Sequence, residues 1–406
     1  MLVEPSPIHI CHIVSSMGDA MQNDQVFSNI RQFRQPEFEH TLIVLKRSKI
    51  LSTKHLPANV SCLELNVGDS HLRQYLECRD ALIALKPHVC VTYGSKLYPM
   101  QWVAKRLNVP VKLHVHRQEE KPRNALSVWF HEWMHRTLSH SSDFVVAPSD
   151  KSLAWLTQNA KIPSAKIKLI RQGIESQKFC PPLRAVDNTI TESLVGSVAV
   201  PSHRLVIGLS VSGLSKHVIT EFFDEYFAAC LHSPMFAQQT LLLVVGKTPY
   251  QNTLQKEVDN RGFTEKQVSF TGHLNNLTFF LKHIDIYVYL QPQEMAVSLL
   301  KAMSMGLPIA STRPANQYPN DNEAHPIYWS TDTEHDLLRD QLLDLFLKSN
   351  KRLKLGRASR RYVQDKHHPA VYEAQYRDLF KRSKLPNASQ VSDNDSSHIH
   401  SSRINH

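Results

Sequence analysis

The sequence predicts an α/β chain built as two doubly wound parallel sheets. Short apolar runs recur along the chain, and helix-periodic segments lie between most of them. The alternation occurs twice, on either side of a Ser/Thr/Val-rich stretch at 186–203. A length of 406 residues also exceeds what one ordinary core fills. Repeated strand–helix–strand units imply parallel sheets covered on both faces, and such sheets bind ligands at the carboxyl ends of their strands.

In the first series, strands are expected at 8–14, 40–45, 88–93, 111–116, 143–149 and 167–172, with helices such as 98–107 and 126–138 between them. In the second, strands are expected at 205–211, 240–246, 268–272, 284–290, 307–311 and 327–329. Helices at 218–231, 254–260, 274–282 and 297–305 separate them, and 337–347, 351–363 and 369–382 are helical. The domains read as 1–185 and 204–366, joined by the linker 186–203 and followed by a C-terminal helix at 367–383. The tail 384–406 is rich in Ser, Asn, Asp and His without periodicity, so it is expected to be disordered; its His398, His400 and His406 read as solvated.

Composition narrows the function. The chain is 42% hydrophobic and 21% charged, with no apolar run long enough for a transmembrane helix. The opening MLVEPSPIHI lacks a basic stretch followed by an apolar one, so no secretory leader is expected. The six cysteines form no CxxC pair and several lie in strand-like runs, which reads as buried thiols in a cytoplasmic protein. The net charge of +10 favours anionic partners. No basic-aromatic RNA signature or helix-turn-helix pattern appears, so nucleic acid is excluded as a partner.

The most telling stretch is 293–308, QEMAVSLLKAMSMGLP. It follows an apolar strand and runs through a turn and an amphipathic helix to a Gly-Leu-Pro stop. It resembles the nucleotide-sugar motif of the large retaining GT-B glycosyltransferase family, which holds many bacterial polysaccharide and lipopolysaccharide enzymes. Other landmarks follow in order: strand 9–14 with Ser-Ser-Met-Gly18, the helix at 26–33, the strand PVKLHVH at 110–116, SDFVVAPS at 142–149 and IRQGI at 170–174. LVVG at 243–246, FTG at 270–272 and DIYV at 285–288 complete the series over roughly residues 8–380.

The resemblance implies two facing Rossmann-like domains with a central cleft, a nucleotide-sugar donor and no cofactor. It places Gly18, Ser212, Lys216, Gly246, Gln293, Glu294, Met295, Ala296, Val297 and Lys301 at the donor. His116 and Gln293 fall at the transferred sugar. Three positions depart from the family pattern. Gly18 stands where two adjacent glycines are usual, and Lys216 remains without its partner arginine. Gln293 and Lys301 replace a pair of glutamates. Lysine cannot accept a hydrogen bond, so Lys301 reads either as a phosphate contact or as a solvated lysine. Backbone amides after Gln293, at a helix N-terminus, remain able to face a diphosphate whatever the side chains. No Asp-x-Asp stands at a strand end, so basic groups rather than a metal are expected at the diphosphate. His114, two residues before His116, is expected on the same face of the strand, one step deeper.

Two rival motifs carry less. His131-Glu-Trp-Met-His135 is a literal HExxH, but its continuation Arg-Thr-Leu-Ser-His140 lacks the extension that supplies a third zinc ligand. Gly246-Lys-Thr248 resembles a P-loop ending, but Leu241, inside a strand, stands where the upstream glycine belongs. Trp129, Phe130 and Trp133 lie on the apolar face of the 126–138 helix. The simpler reading packs that face against the sheet; the alternative rests it on an anionic membrane.

The expectation is a cytoplasmic retaining hexosyltransferase, with peripheral contact at the inner membrane. It would use a UDP- or GDP-linked donor and a saccharide or lipid-linked acceptor. The alternative is a catalytically degenerate GT-B protein that supports polysaccharide assembly.

Overall fold

The computed structural model describes residues 6–15, 26, 30, 33, 36–46, 60–65, 67, 70–117, 125–181, 193–195, 198–201, 203–274, 277–290, 297–312, 327–329 and 338–384. Contacts divide the chain into two compact units, one comprising residues 1–173 and 370–406 and the other residues 174–369.

The first unit contains β1 (Ile8–Val14), β2 (Phe38–Val44), β3 (Val60–Glu64), β4 (Val89–Tyr93), β5 (Val111–Val115), β6 (Phe144–Ala147) and β7 (Ile167–Leu169). They pair in parallel in the order β3-β2-β1-β4-β5-β6-β7. The crossovers include α1 (His71–Leu85), α2 (Tyr98–Arg106), α3 (Ala125–Leu138) and α4 (Asp150–Gln158). Strand direction of travel reverses between β1 and β4, which makes their carboxyl ends the unit's switch point. Alternate β1 residues feed the two cores. Ile8, Ile10 and Val14 join one cluster, while Cys11 and Ile13 join another with Cys78, Leu82 and Met100.

The second unit opens with an antiparallel hairpin, β8 (Ser193–Val195) and β9 (Val198–Val200), inside the expected linker. Its main sheet joins β10 (Leu205–Ser210), β11 (Thr240–Val245), β12 (Val268–Gly272), β13 (Ile286–Tyr289), β14 (Ile309–Ser311) and β15 (Ile327–Trp329). The parallel order is β12-β11-β10-β13-β14-β15, with the switch between β10 and β13. Helices α5 (Lys216–His232), α6 (Pro234–Gln239), α7 (Gln251–Asn260), α8 (Leu277–Lys282), α9 (Val297–Ser304), α10 (Leu338–Leu347) and α11 (Ser349–Lys366) complete it. In α5, Ile219, Phe222, Phe223, Tyr226, Phe227 and Cys230 recur at helical spacing and bury one face against Ile207, Leu209, Leu242 and Val244. Gly208 in β10 has the opposite task. A Cβ there would come within 2.6 Å of Ile284, so glycine admits the α8 side of the core.

The division falls at Gly173/Ile174, ahead of the linker read at 186–203. Ile174 donates its amide to His367 O, and Phe179 buries with Val195, Val200 and Val206, so the approach to the hairpin already belongs to the second core. The final helix α12 (Pro369–Lys381) returns to the first unit. Its Tyr372, Tyr376, Leu379 and Phe380 join the cluster of Phe33 and Phe38, with Phe380 5.1 Å from Phe33 edge-to-face. Arg377 and Lys381 pair with Glu37. The expected disordered tail from residue 385 onward lies outside the described residues.

Candidate active site

The second unit's switch point is assembled from the ends of three strands. Val211 donates to Val245 O and Gly246 to Gly272 O, at 2.9 and 2.8 Å. This lays the exits of β10, β11 and β12 side by side. Gly246 has φ +115°, and a Cβ there would stand 2.4 Å from Ser212 Oγ, so backbone and Ser212 meet at a distance only glycine allows. The loop 212–215 then enters α5. Ser215 Oγ caps the helix by accepting from Val218 N at 3.5 Å, and Lys216 is its first residue. Lys216 is exposed. An α-helix leaves its first amides without intrahelical acceptors, so the N-terminus of α5 presents positive potential beside an ammonium group.

Across the switch point, Tyr287 in β13 is buried, with its hydroxyl hydrogen-bonded to the side chains of Ser298 and Ser210. Burial pushes its phenol up to about 12, against the pull of those two bonds, so it stays neutral. One hydroxyl thereby ties β10, β13 and the first turn of α9. Lys301, one turn into α9, places Nζ 5.3 Å from the Phe179 ring centroid. The Phe179 carbonyl accepts from Ser304 Oγ at 2.7 Å and from Arg360 at 3.3 Å, fixing α9 against the segment that carries Phe179.

In the first unit, His116 follows β5 and donates its amide to Val146 O at 2.9 Å. Its ring stacks on Trp155 at 5.1 Å and 12°, and meets His135 edge-on at 5.3 Å and 71°. His114 lies deeper on the same face, under Tyr98 at 3.5 Å, with Nδ1 2.9 Å from Thr92 Oγ1. Burial, then the neighbouring His116, hold the His114 pKa well below its ordinary value, so it is neutral. Its Nε2 and the Tyr98 hydroxyl are buried without a protein hydrogen-bond partner. A second polar chain crosses the sheet beside it. Tyr93 Oη lies 2.9 Å from His12 Nδ1, His12 Nε2 lies 2.9 Å from His40 Nδ1, and His40 Nε2 lies 2.5 Å from Phe33 O. The Arg117 guanidinium stands 5.7 Å from the Tyr93 ring centroid.

Of the residues singled out from sequence, Ser212, Lys216, Gly246, Val297 and Lys301 are all described in the second unit, where Ser212, Lys216 and Gly246 share the β10–β11 exits. His116 stands just past the end of β5 in the first unit. Gly18, Gln293, Glu294, Met295 and Ala296 lie outside the described residues. Trp155 and Tyr287 escaped sequence reading. The signal for Tyr287 was weak, since β13 reads IYVY and Tyr289 carries a second hydroxyl; Trp155 sits on a different element from the ring it covers. The α3 helix also corrects one expectation. Trp129 and Trp133 are 62% and 49% exposed with stacked indoles, while His135 is fully buried. The buried face runs through His135 and Ser139, which turns the tryptophans outward. His135 is thereby enclosed by the rings of Tyr98, His114, His116 and Trp155; the side chain of His131, the other histidine of the HExxH spelling, lies outside the described residues. Among the described residues, no three His, Cys, Asp or Glu side chains gather as a metal site.

Two doubly wound units, each with its loops at a switch point, are the architecture of the GT-B class. The model described as "Glycosyl transferase 4-like domain" matches residues 33–173, and the one described as "Glycosyl transferases group 1" matches residues 216–345. The chain belongs to the GT-B glycosyltransferases and is an enzyme of that kind. A glycosyltransferase from Rickettsia africae is similar in structure, with a TM-score of 0.70 at 14% identity, covering 94% of this chain and 100% of its own. HepE of Anabaena, solved in complex with UDP, gives 0.69 at 14% identity over 93% and 100%. WaaG, a glycosyltransferase involved in lipopolysaccharide biosynthesis, gives 0.60 at 13% identity over 90% and 98%. No curated protein matches the chain in sequence.

Proposed function

We propose that this glycosyltransferase is a retaining hexosyltransferase. It takes its sugar from a UDP- or GDP-linked donor and passes it to a bacterial polysaccharide, lipopolysaccharide or lipid-linked acceptor. The observation that carries the reading is the β10–β13 switch point. Lys216 stands at the N-terminus of a capped helix, beside a Ser212–Gly246 contact that leaves no room for a side chain. The helix N-terminus and the ammonium would together hold the leaving diphosphate, which needs positive charge as the glycosidic bond breaks. The retaining course follows from the family resemblance, with the leaving diphosphate assisting deprotonation of the acceptor hydroxyl. The similar HepE structures contain UDP and UDP-glucose, which supports a nucleotide-sugar donor here.

Calorimetry with UDP-glucose and a panel of UDP- and GDP-hexoses tests the donor. Lys216→Ala is expected to weaken donor affinity about tenfold or more, since a charge-assisted phosphate contact contributes roughly 1.5–3 kcal/mol. If no donor binds at millimolar concentration, the hexosyltransferase reading fails and a binding or scaffold role takes its place.

The exposed face of α3 supports the second part of the reading, contact with an anionic membrane. Trp129 and Trp133 share that face with exposed Arg136, and the adjacent α2 exposes Lys105, Arg106 and Trp102, with Arg106 3.7 Å over the indole of Trp102. Indoles flanked by cations match the headgroup region of an anionic bilayer. No helix among the described residues is long and apolar enough to cross a membrane. In flotation with phosphatidylglycerol vesicles, Trp129→Ser/Trp133→Ser is expected to lower binding about thirtyfold, at roughly 1 kcal/mol per indole withdrawn. Unchanged flotation removes this face from the membrane.

A further inference from the structure

We propose that Trp155 and His135 are positioning residues, whose rings form a socket that fixes the imidazole of His116 for sugar transfer. The inference rests on the reading of His116 as the group that meets the transferred sugar. His116 lies just past the end of β5, where its amide is still held by Val146 O. Its backbone is pinned, but the orientation of its ring depends on what the ring touches.

Among the described residues, two rings bear on that orientation. Trp155 covers one face nearly in parallel. His135 meets the same imidazole at close to a right angle, and itself stands edge-on to Trp155 at 5.0 Å and to Tyr98 at 4.8 Å. The three rings of the socket come from three elements: the end of β5, α3 and α4. Every pair adopts one of the two favoured aromatic geometries, offset-stacked or edge-to-face. Turning the His116 ring therefore displaces a second ring, and through it a third. His116 is 4% exposed and His135 fully buried, so solvent does not loosen the arrangement.

The helix behind the socket is itself anchored. Ser149 Oγ caps α4 by accepting from Ser152 N at 3.1 Å, and Asp150 in its first turn pairs with Arg171 at 2.7 Å. Trp155 thus rides on an element held at its N-terminus from two sides. The HExxH spelling gains an explanation. Its second histidine is placed on the inward face of α3, where it buttresses another histidine.

The test uses the full chain, whichever UDP- or GDP-hexose it hydrolyses, and the 15N spectrum of the His116 imidazole. Trp155→Leu is expected to lower kcat roughly ten- to hundredfold with donor KM changed less than about threefold, the signature of a misplaced group rather than a lost binding contact. Trp155→Phe, which keeps a stacking face, retains kcat within about threefold. In the spectrum, the parent shows one fixed tautomer of His116 and Trp155→Leu shows an average of two. His135→Leu gives the same spectral change and serves where Trp155→Leu does not fold. Parental kcat in Trp155→Leu, with His116→Gln inactive, overturns the socket. Parental kcat in His116→Gln overturns the reading of His116 instead. The spectrum then decides the socket alone, and an unchanged tautomer in Trp155→Leu and His135→Leu overturns it.

Discussion

His12 and His40, in the interior of the first unit, are neutral, and the direction of their hydrogen bonds follows from one carbonyl. Phe33 O can only accept, so His40 Nε2 carries the proton and His40 Nδ1 accepts from His12 Nε2. His12 Nδ1 is then an acceptor, and Tyr93 must donate to it. Burial keeps the chain neutral. It lowers His12 well below its ordinary value, aided by repulsion from His40 and His9, and brings His40 down to about 4. The Phe33 carbonyl and Glu39 oppose the shift at His40, His9 adds to it, and Tyr93 and Arg117 stand at the other end. An unfolded histidine takes up its proton near pH 6.5, whereas the folded His40 resists until about pH 4. The unfolded chain therefore binds more protons in that window, and stability is lost as pH falls through it. His40 alone accounts for on the order of 3 kcal/mol. Urea titration is expected to give a lower midpoint for the first unit at pH 5 than at pH 7. His40→Leu should be less stable at pH 7 but decline less with acid; an equal decline would remove the imidazole chain as the cause. At this scale, the sequence shows where a residue falls when a strand sets it, as with His116 past β5, whereas Lys216, expected two residues ahead of its helix, is the first residue of α5. It hides groups whose meaning lies in a partner distant along the chain. His12 and His40 lie in separate apolar runs, and nothing local says that they touch.

The strands were legible because buried parallel strands read as continuous apolar runs, as in β11, Thr240–Val245, whose six residues are all buried. The edge strand β3 was not, since its pattern VSCLE is largely exposed and lacks such a run. Helix α1 was obscured in the same way, because Leu72 and Ile83 face outward and blur its period. Close approach between elements was also invisible in sequence. In α11, a Cβ at Gly356 would come within 2.1 Å of Gly306 O, at the turn that follows α9. That contact lets α11 lie directly against the end of the motif helix. Gly356→Ala is expected to destabilise the second unit by about 1–3 kcal/mol through overpacking, read as a lower thermal midpoint. An unchanged midpoint would mean that α11 shifts away at no cost.

The whole chain is not two beads in sequence. The second unit is one uninterrupted stretch, 174–369, while the first is closed only when 370–381 returns to it. Sequence reading set a C-terminal helix apart at 367–383 but gave no sign of which core it completes, since its apolar face would suit either. Truncation after Pro369 exposes Phe33, Phe38 and their neighbours. Calorimetry of that variant is expected to lose or sharply lower the first unit's transition while the second unit's remains. Two parental transitions would show that α12 is dispensable. The same return has a consequence for biosynthesis. Domains commonly fold in the order in which they leave the ribosome, at roughly 5–20 residues per second. Here the sheet that emerges first must wait for about 200 further residues before its covering helix exists, a delay on the order of 10–40 s at those rates. The later-made unit can finish first, and the nascent amino-terminal half spends that interval with an aromatic face uncovered, as a natural client for chaperones.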